Sequence, residues 1–331
     1  MGESSQETYL GDRIHKSGKL KHTIDARVAR GYGAITTILA IINEIPLAHW
    51  RVQAGLQLRQ AMFLNTILVN SEAWHDITDM EIEQLEKVDE ALLRGIINAH
   101  AKVPIEALFL ETGSIPIRFI IKSRRFNFLK NILKREDEEL IKEVFNAQKE
   151  SPIDGDFFKL VTSDLEKVNL TISENDICNT NKEALKKTVK IKVRKAAFEE
   201  LIKAKNNHSK MSGTTYKSLE LQNYMKSPLF DNESVTMLFA LKTRTVRGIK
   251  NDFRGMFNDN QCPLGCGKYD TLQNVLVCPV LNSHMKSNNI ARTKAKYEDI
   301  FSEDILKQKE ITPLYNQLMY IREELMKNQP A

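Results

Sequence analysis

Residues 78–97 read TDMEIEQLEKVDEALLRGII, and this stretch decides the fold class. Thr78, with Glu81 three positions on, makes a capping box, in which the two side chains satisfy backbone N–H groups left open at the start of a helix. Ile82, Leu85, Val88, Leu92 and Ile96 then recur at helical spacing and form one apolar stripe. The carboxylates between them fall on the polar side, the ordinary solvated face. The spacing predicts an amphipathic helix over 78–98.

The same period extends outward in both directions. Upstream, Ile24, Val28, Tyr32, Ile35, Ile38, Leu39 and Ile42 mark a helix over 22–44 that Pro46 stops. Val52, Leu56, Met62, Phe63, Ile67 and Leu68 mark a second over 48–70. Downstream, PIEALFLETG begins at Pro104 as a short helix and ends at Gly113. IPIRFIIKSRRFNFLKNILKRE, residues 115–136, is apolar on most sides, which predicts a central, buried helix. The acidic run 136–143 and the turn residues Pro152 and Gly155 mark a surface break, where we place a first boundary. Residues 156–180 are weakly amphipathic. VKIKVR (189–194) alternates like a strand, but its flanks favour helix and it is read as helix. Residues 206–216 read as a loop, 232–250 as a helix, and 289–326 as one or two terminal helices broken near Pro313. The chain is thus expected to be all-α, with no repeat of fixed period.

Composition bounds what such a chain can be. Its 331 residues suggest about two domains, and 42% hydrophobic with 27% charged residues is ordinary globular usage. A net charge of +5 permits a nucleic-acid partner without requiring one. No run is long and apolar enough to span a membrane, and the start MGESSQETYLGD has no apolar leader. Four cysteines do not make a disulfide scaffold, which fits a reducing compartment, nuclear or cytoplasmic.

Three of those cysteines cluster in CPLGCGKYDTLQNVLVCPVLNSH, residues 262–284. Cys262 and Cys266 form a close pair around a turn that Gly265 and Gly267 permit, and Cys278 follows. Zinc wants four ligands at tetrahedral corners, commonly a close pair from a turn and a second pair further on. His284 would close a Cys-Cys-Cys-His site with structural zinc as the cofactor. The other reading is three free cysteines in a small hydrophobic loop. Both stand on spacing alone.

Basic residues recur in three places. Lys182, Lys186, Lys187, Lys190, Lys192, Arg194 and Lys195 crowd one stretch, either a phosphate-tracking helix or a solvated lysine face. Arg118, Lys122 and Arg125 share one face of the apolar 115–136 helix, so they need acidic partners inside the fold, with Glu106 and Glu111 as candidates, or phosphates outside it. Arg244, Arg247, Lys250 and Arg254 recur at helical spacing just before the cysteines. The sequence has no glycine-rich phosphate loop, serine elbow, His-Glu-x-x-His or Asp-Asp pair, and so no catalytic site of its own. Trp74-His75-Asp76 puts a histidine beside an acid, but adjacent helical residues do not face each other.

Four stretches in order resemble one family. They are YLGDRIHKSGKLKHTIDARVARGYGAITTILAIINEI from Tyr9, LQLRQAMFLNTILVNSEAWHDITDMEIEQLEKVDEALLRGI from Leu56, PIEALFLETGSIPIRFIIKSRR from Pro104, and CPLGCGKYDTLQNVLVC from Cys262. Together they are similar to the region after the polymerase core in reverse transcriptases of non-LTR retrotransposons, over most of residues 9–282. The resemblance implies a palm-side strand remnant over 1–20, a thumb-like helical bundle over 21–150, a basic helical region over 151–255, a knuckle-like segment over 256–288 and C-terminal helices over 289–331. It implies an RNA-directed DNA polymerase whose fingers and palm lie upstream of Met1, so this chain would bind template–primer nucleic acid without polymerising. The expected partners are RNA, DNA or an RNA–DNA hybrid, and the polymerase core or another protein. Arg27, Arg30, Arg118, Lys122, Arg125, Lys186, Lys190, Arg244 and Arg247 are the expected phosphate contacts. The family's knuckle histidine falls near Asn274 here, and asparagine is a poor zinc ligand. Either His284 takes that role or the site has lost tight metal binding. The rival reading is a co-opted fragment serving as a helical protein-interaction scaffold.

Overall fold

The computed structural model describes residues 6–9, 12–15, 19–74, 77–170, 174–211, 213–246, 261–288, 290 and 295–328. Among the described residues the fold is all-α apart from a two-stranded hairpin, β1 (Gln6–Tyr9) and β2 (Asp12–His15), paired antiparallel with Gln6 opposite His15. The region expected to hold one strand therefore holds two.

The helices of the first half are α1 (Lys21–Asn43), α2 (Ala48–Leu58), α3 (Leu64–Ile67), α4 (Asp79–Ile97), α5 (Ile105–Thr112) and α6 (Ile117–Leu133). Helix α4 opens on the expected capping box: Glu81 N–H donates to Thr78 Oγ1 at 3.3 Å, and Thr78 N–H donates to Glu81 Oε2 at 2.8 Å. Its Leu85, Val88, Leu92, Leu93 and Ile96 are buried against Ile24, Ile35, Ile38 and Ile42 of α1. Gly31 lets the two helices meet, since a Cβ there would lie 2.9 Å from Val88 Cγ1. The helix expected over 48–70 is interrupted by a π-helical turn at Arg59–Phe63. The wide turn turns both Arg59 and Phe63 inward, a register shift that a uniform 3.6-residue period cannot show.

Helix α6 is central, as its composition demands. It packs against α4, α5's neighbour α10 (Lys182–Lys205), α7 (Leu140–Glu150), α8 (Phe157–Lys167) and α9 (Glu174–Asn179). VKIKVR lies inside α10, whose Leu185, Val189, Val193, Ala197 and Leu201 fall four apart and are buried. Buried side chains run contiguously from Ile24 to Ile321, so packing continues across the surface break near residue 151.

The second half adds α11 (Asn223–Lys226), α12 (Asn232–Lys242), α13 (Leu272–Val277), α14 (Pro279–Ser287) and α15 (Ile305–Lys327). Two expectations are corrected here. The helix expected over 232–250 ends at Lys242, and Arg244 takes a left-handed φ of 50°. The terminal helix is not broken at Pro313, which lies inside α15. Pro313 is exposed while Ile311, Thr312, Leu314 and Tyr315 are buried. The hydrogen bond lost to proline thus faces water, and packing on the other face carries the helix through a residue that costs about 3 kcal/mol in a helix interior.

The two halves meet at Gly113, which caps α5 at φ 65°. A Cβ there would fall 2.4 Å from the Leu221 nitrogen, and the Gly113 carbonyl accepts from Arg194 at 3.0 Å. Gly113→Ala is expected to destabilise by more than the roughly 1–3 kcal/mol of backbone strain alone, because the 220–221 backbone must also move. A urea midpoint equal to that of the parent chain would contradict this.

Candidate metal centre and basic surface

The cysteine segment is built by two turns and a helix. Cys262 N–H donates to the Lys268 carbonyl at 2.8 Å, Gly265 N–H donates to the Cys262 carbonyl at 2.9 Å, and Gln261 bridges Tyr269. Gly265 and Gly267 sit at φ 71° and 77°, the left-handed values the tight turn requires. Thr271 caps α13 by accepting from Asn274 N–H at 3.1 Å, and Cys278 lies at the end of that helix. The three sulfurs come within 4.8 Å of one another, so Cys262, Cys266 and Cys278 can hold a metal ion.

His284, the expected fourth ligand, is not in this group. It rides on α14, which Pro279 starts anew beyond Cys278. What lies against the cluster instead is Asn274, buried, with Nδ2 at 3.5 Å and Oδ1 at 3.7 Å from Cys266 Sγ. Burial pushes the Cys262 thiol up to about 11. Burial also works to raise Cys266, but hydrogen bonds from Asn274, the Lys268 backbone and the other two thiols outweigh it and leave Cys266 below its usual value. The segment is tied to the terminal helix by the buried Arg322–Asp270 pair at 2.6 Å and by Tyr315, whose hydroxyl donates to the Leu272 carbonyl at 2.8 Å.

The basic residues divide sharply. On α10, Lys186, Lys187, Lys190 and Lys195 are exposed, whereas Arg194 is drawn inward to the Gly113 and Leu219 carbonyls. Lys186 and Lys190 lie one turn apart on the solvent face of this 24-residue helix. On α1, Arg30 is exposed, but Arg27 is buried and donates to the Thr66 carbonyl at 3.2 Å.

Arg118, Lys122 and Arg125 line one cleft of about 440 Å³ with Asp79, Asp164 and Glu200. Arg118 meets Glu86, its Nε donating to Oε1 at 2.9 Å, and this hydrogen bond raises its already high affinity for the proton. Arg125 is buried, donating to Asp164 at 3.0 Å and to the Trp74 carbonyl at 2.8 Å. The acidic partners are thus inside the fold, but they are Glu86 and Asp164 rather than Glu106 and Glu111. They lie 32 and 39 residues away in sequence, beyond any helical spacing that could have named them. Lys122 sits 4.8 Å over the Phe119 ring, and burial lowers its pKa. Arg244 is half-buried and off the helix, while Arg247, Lys250 and Arg254 fall outside the described residues, as do His75 and Asp76.

A second polar centre had no signal in the sequence. Glu111 is fully buried and accepts from the Tyr216 hydroxyl at 2.6 Å, the Tyr224 hydroxyl at 3.0 Å and Lys242 Nζ at 3.0 Å. Burial, then the Glu111 charge, holds both phenols well above their usual range.

Nearby, Glu90 lines an acidic cleft with Glu83, Glu86 and Glu106, and burial raises its pKa to about 7. The folded chain holds this proton more tightly than the unfolded one. The resulting stability is full below the ordinary carboxylate value and is lost as pH rises through about 7. Glu90→Gln is therefore expected to be more stable than the parent at about pH 8, with the gain shrinking by about pH 5. Denaturant curves at the two pH values with an equal difference would refute this assignment.

Among the described residues, no helix is long and apolar enough to cross a membrane. No protein-family model matches the chain, and neither does any curated protein or solved structure.

Proposed function

We propose that the chain is the nucleic-acid-binding, C-terminal part of a retrotransposon-type reverse transcriptase and contributes no catalytic aspartate pair. The observation that carries this reading is the cysteine cluster. Three thiols spread over residues 262–278 come together, and Asn274, where the resembled knuckle has its histidine, lies against them. Zinc is the structural ion that the resemblance assigns to this segment, with three of its four ligands supplied by the cysteines. The exposed face of α10 is the phosphate-binding surface, with Lys186 and Lys190 as its principal contacts. Such a surface grips the backbone of an A-form hybrid by shape and charge, with little sequence preference.

The test is fluorescence anisotropy with an RNA–DNA hybrid across a salt series. Lys186→Glu/Lys190→Glu is expected to weaken binding and to flatten the slope of log K against log salt by about two. Binding that is absent at low salt, or a slope indifferent to the two charges, would overturn the proposal.

The scaffold reading has one specific observation in its favour. Helix α7 leaves Leu140, Ile141 and Val144 exposed on neighbouring positions and buries only Phe145. Sedimentation showing self-association that Val144→Glu abolishes, in a chain indifferent to nucleic acid, would favour it.

A further inference from the structure

We infer that Cys262, Cys266 and Cys278 form a three-coordinate thiolate site that takes a trivalent thiophilic ion, of the arsenic(III) class, in preference to zinc. The inference rests on the same three thiols as the proposed metal centre, replaces zinc as their ion, and does not depend on nucleic-acid binding. Three sulfurs within 4.8 Å of one another supply a complete ligand set for an ion that forms three bonds. Zinc asks for a fourth ligand at a tetrahedral corner. Beside Cys266 the group meets a neutral amide, Asn274, whose nitrogen and oxygen both face the sulfur at 3.5 and 3.7 Å. Soft thiolates already favour soft ions, and among the described residues no fourth histidine, cysteine or carboxylate joins the three sulfurs, which favours ions that need three partners over those that need four.

Charge points the same way. Cys262 and Cys278 are buried and Cys266 is half-buried. Three thiolates around a divalent ion leave one net negative charge in this setting, and burial of net charge is unfavourable. Around a trivalent ion the complex is neutral. A pyramidal ion also directs its lone pair to its open side, where it requires no ligand. The uptake is balanced without any redox change. Arsenous acid exchanges three As–O bonds for three As–S bonds, and its three hydroxides leave with the three thiol protons as three waters.

The experiment uses the full, reduced, metal-free chain with sodium arsenite and zinc as probes. Native mass spectrometry is expected to show one arsenic bound with three protons lost, and thiol titration at most one reactive cysteine of the four in the chain. Cys278→Ser should lose the three-proton species. Asn274→His should tighten zinc by more than about tenfold, read by competition with a chromophoric chelator, because it restores a fourth donor. Folding of each variant is checked by circular dichroism. Should Cys278→Ser fail to fold, the proton count on the parent chain and the Asn274→His comparison still decide. Arsenic bound with two protons lost, or zinc held as tightly by the parent as by Asn274→His, overturns the inference.

Discussion

Glu111→Ala is expected to lower the unfolding free energy by about 3–5 kcal/mol, the largest effect of any single substitution considered. Glu111 is fully buried, and it is the only carboxylate hydrogen-bonded to Lys242 among the described residues. Removing it strands a buried ammonium and takes the acceptor from two phenols at once. Lys242 also lies 4.9 Å from the Tyr224 ring centre, a cation–π contact too weak to replace a carboxylate. The loss should appear in urea unfolding as a lower midpoint at unchanged slope. Glu111→Gln/Lys242→Met, which removes both charges, should recover most of it. Tyr216, Tyr224 and Lys242 also line a cleft of about 220 Å³, which gives water a route to the stranded groups. A loss below about 1 kcal/mol would mean that this water already solvates the cluster, and the electrostatic account would fall.

Asp89→Asn should cost nearly as much. Asp89 and Arg59 are buried, and the contact is bidentate: Nε donates to Oδ1 at 2.6 Å and a terminal nitrogen to Oδ2 at 2.5 Å. An amide cannot accept at both positions, so a guanidinium remains buried without a counter-charge, at about 3–5 kcal/mol. Arg59→Met/Asp89→Leu should restore most of the stability and leave a deficit of about 1 kcal/mol. That remainder has a named source, the Ile115 carbonyl, which accepts from Arg59 at 3.0 Å. The measurement is a double-mutant cycle by chemical denaturation. A double variant no more stable than Asp89→Asn would show that the pair holds the π-helical turn in place rather than merely neutralising charge.

These two clusters also mark the limit of what could be read along the chain. The capping box of α4, the cap at Gly113, the helical state of VKIKVR and the central place of α6 were legible because each rests on neighbours within one or two turns. Pro313 was misread by the same local logic, since only packing on the far side of α15 carries that helix through it. For the candidate site, the spacing identified the three cysteines, and the family resemblance singled out Asn274. The spacing also offered His284, because five intervening residues are a length and not a direction. In the structure His284 lies on α14, outside the group of three thiols.

By itself, the sequence determined the helices, their apolar faces, the turn at Gly265 and Gly267, and the lysines of α10, all consequences of short-range periodicity and backbone freedom. Only the tertiary structure decided which charges are available. Arg27, Arg125 and Arg194 are consumed inside the fold by Thr66, Asp164 and Gly113, while Lys186 and Lys190 remain at the surface. A buried charge takes whichever partner the packing brings within about 3 Å, and that choice is made between residues far apart in the chain.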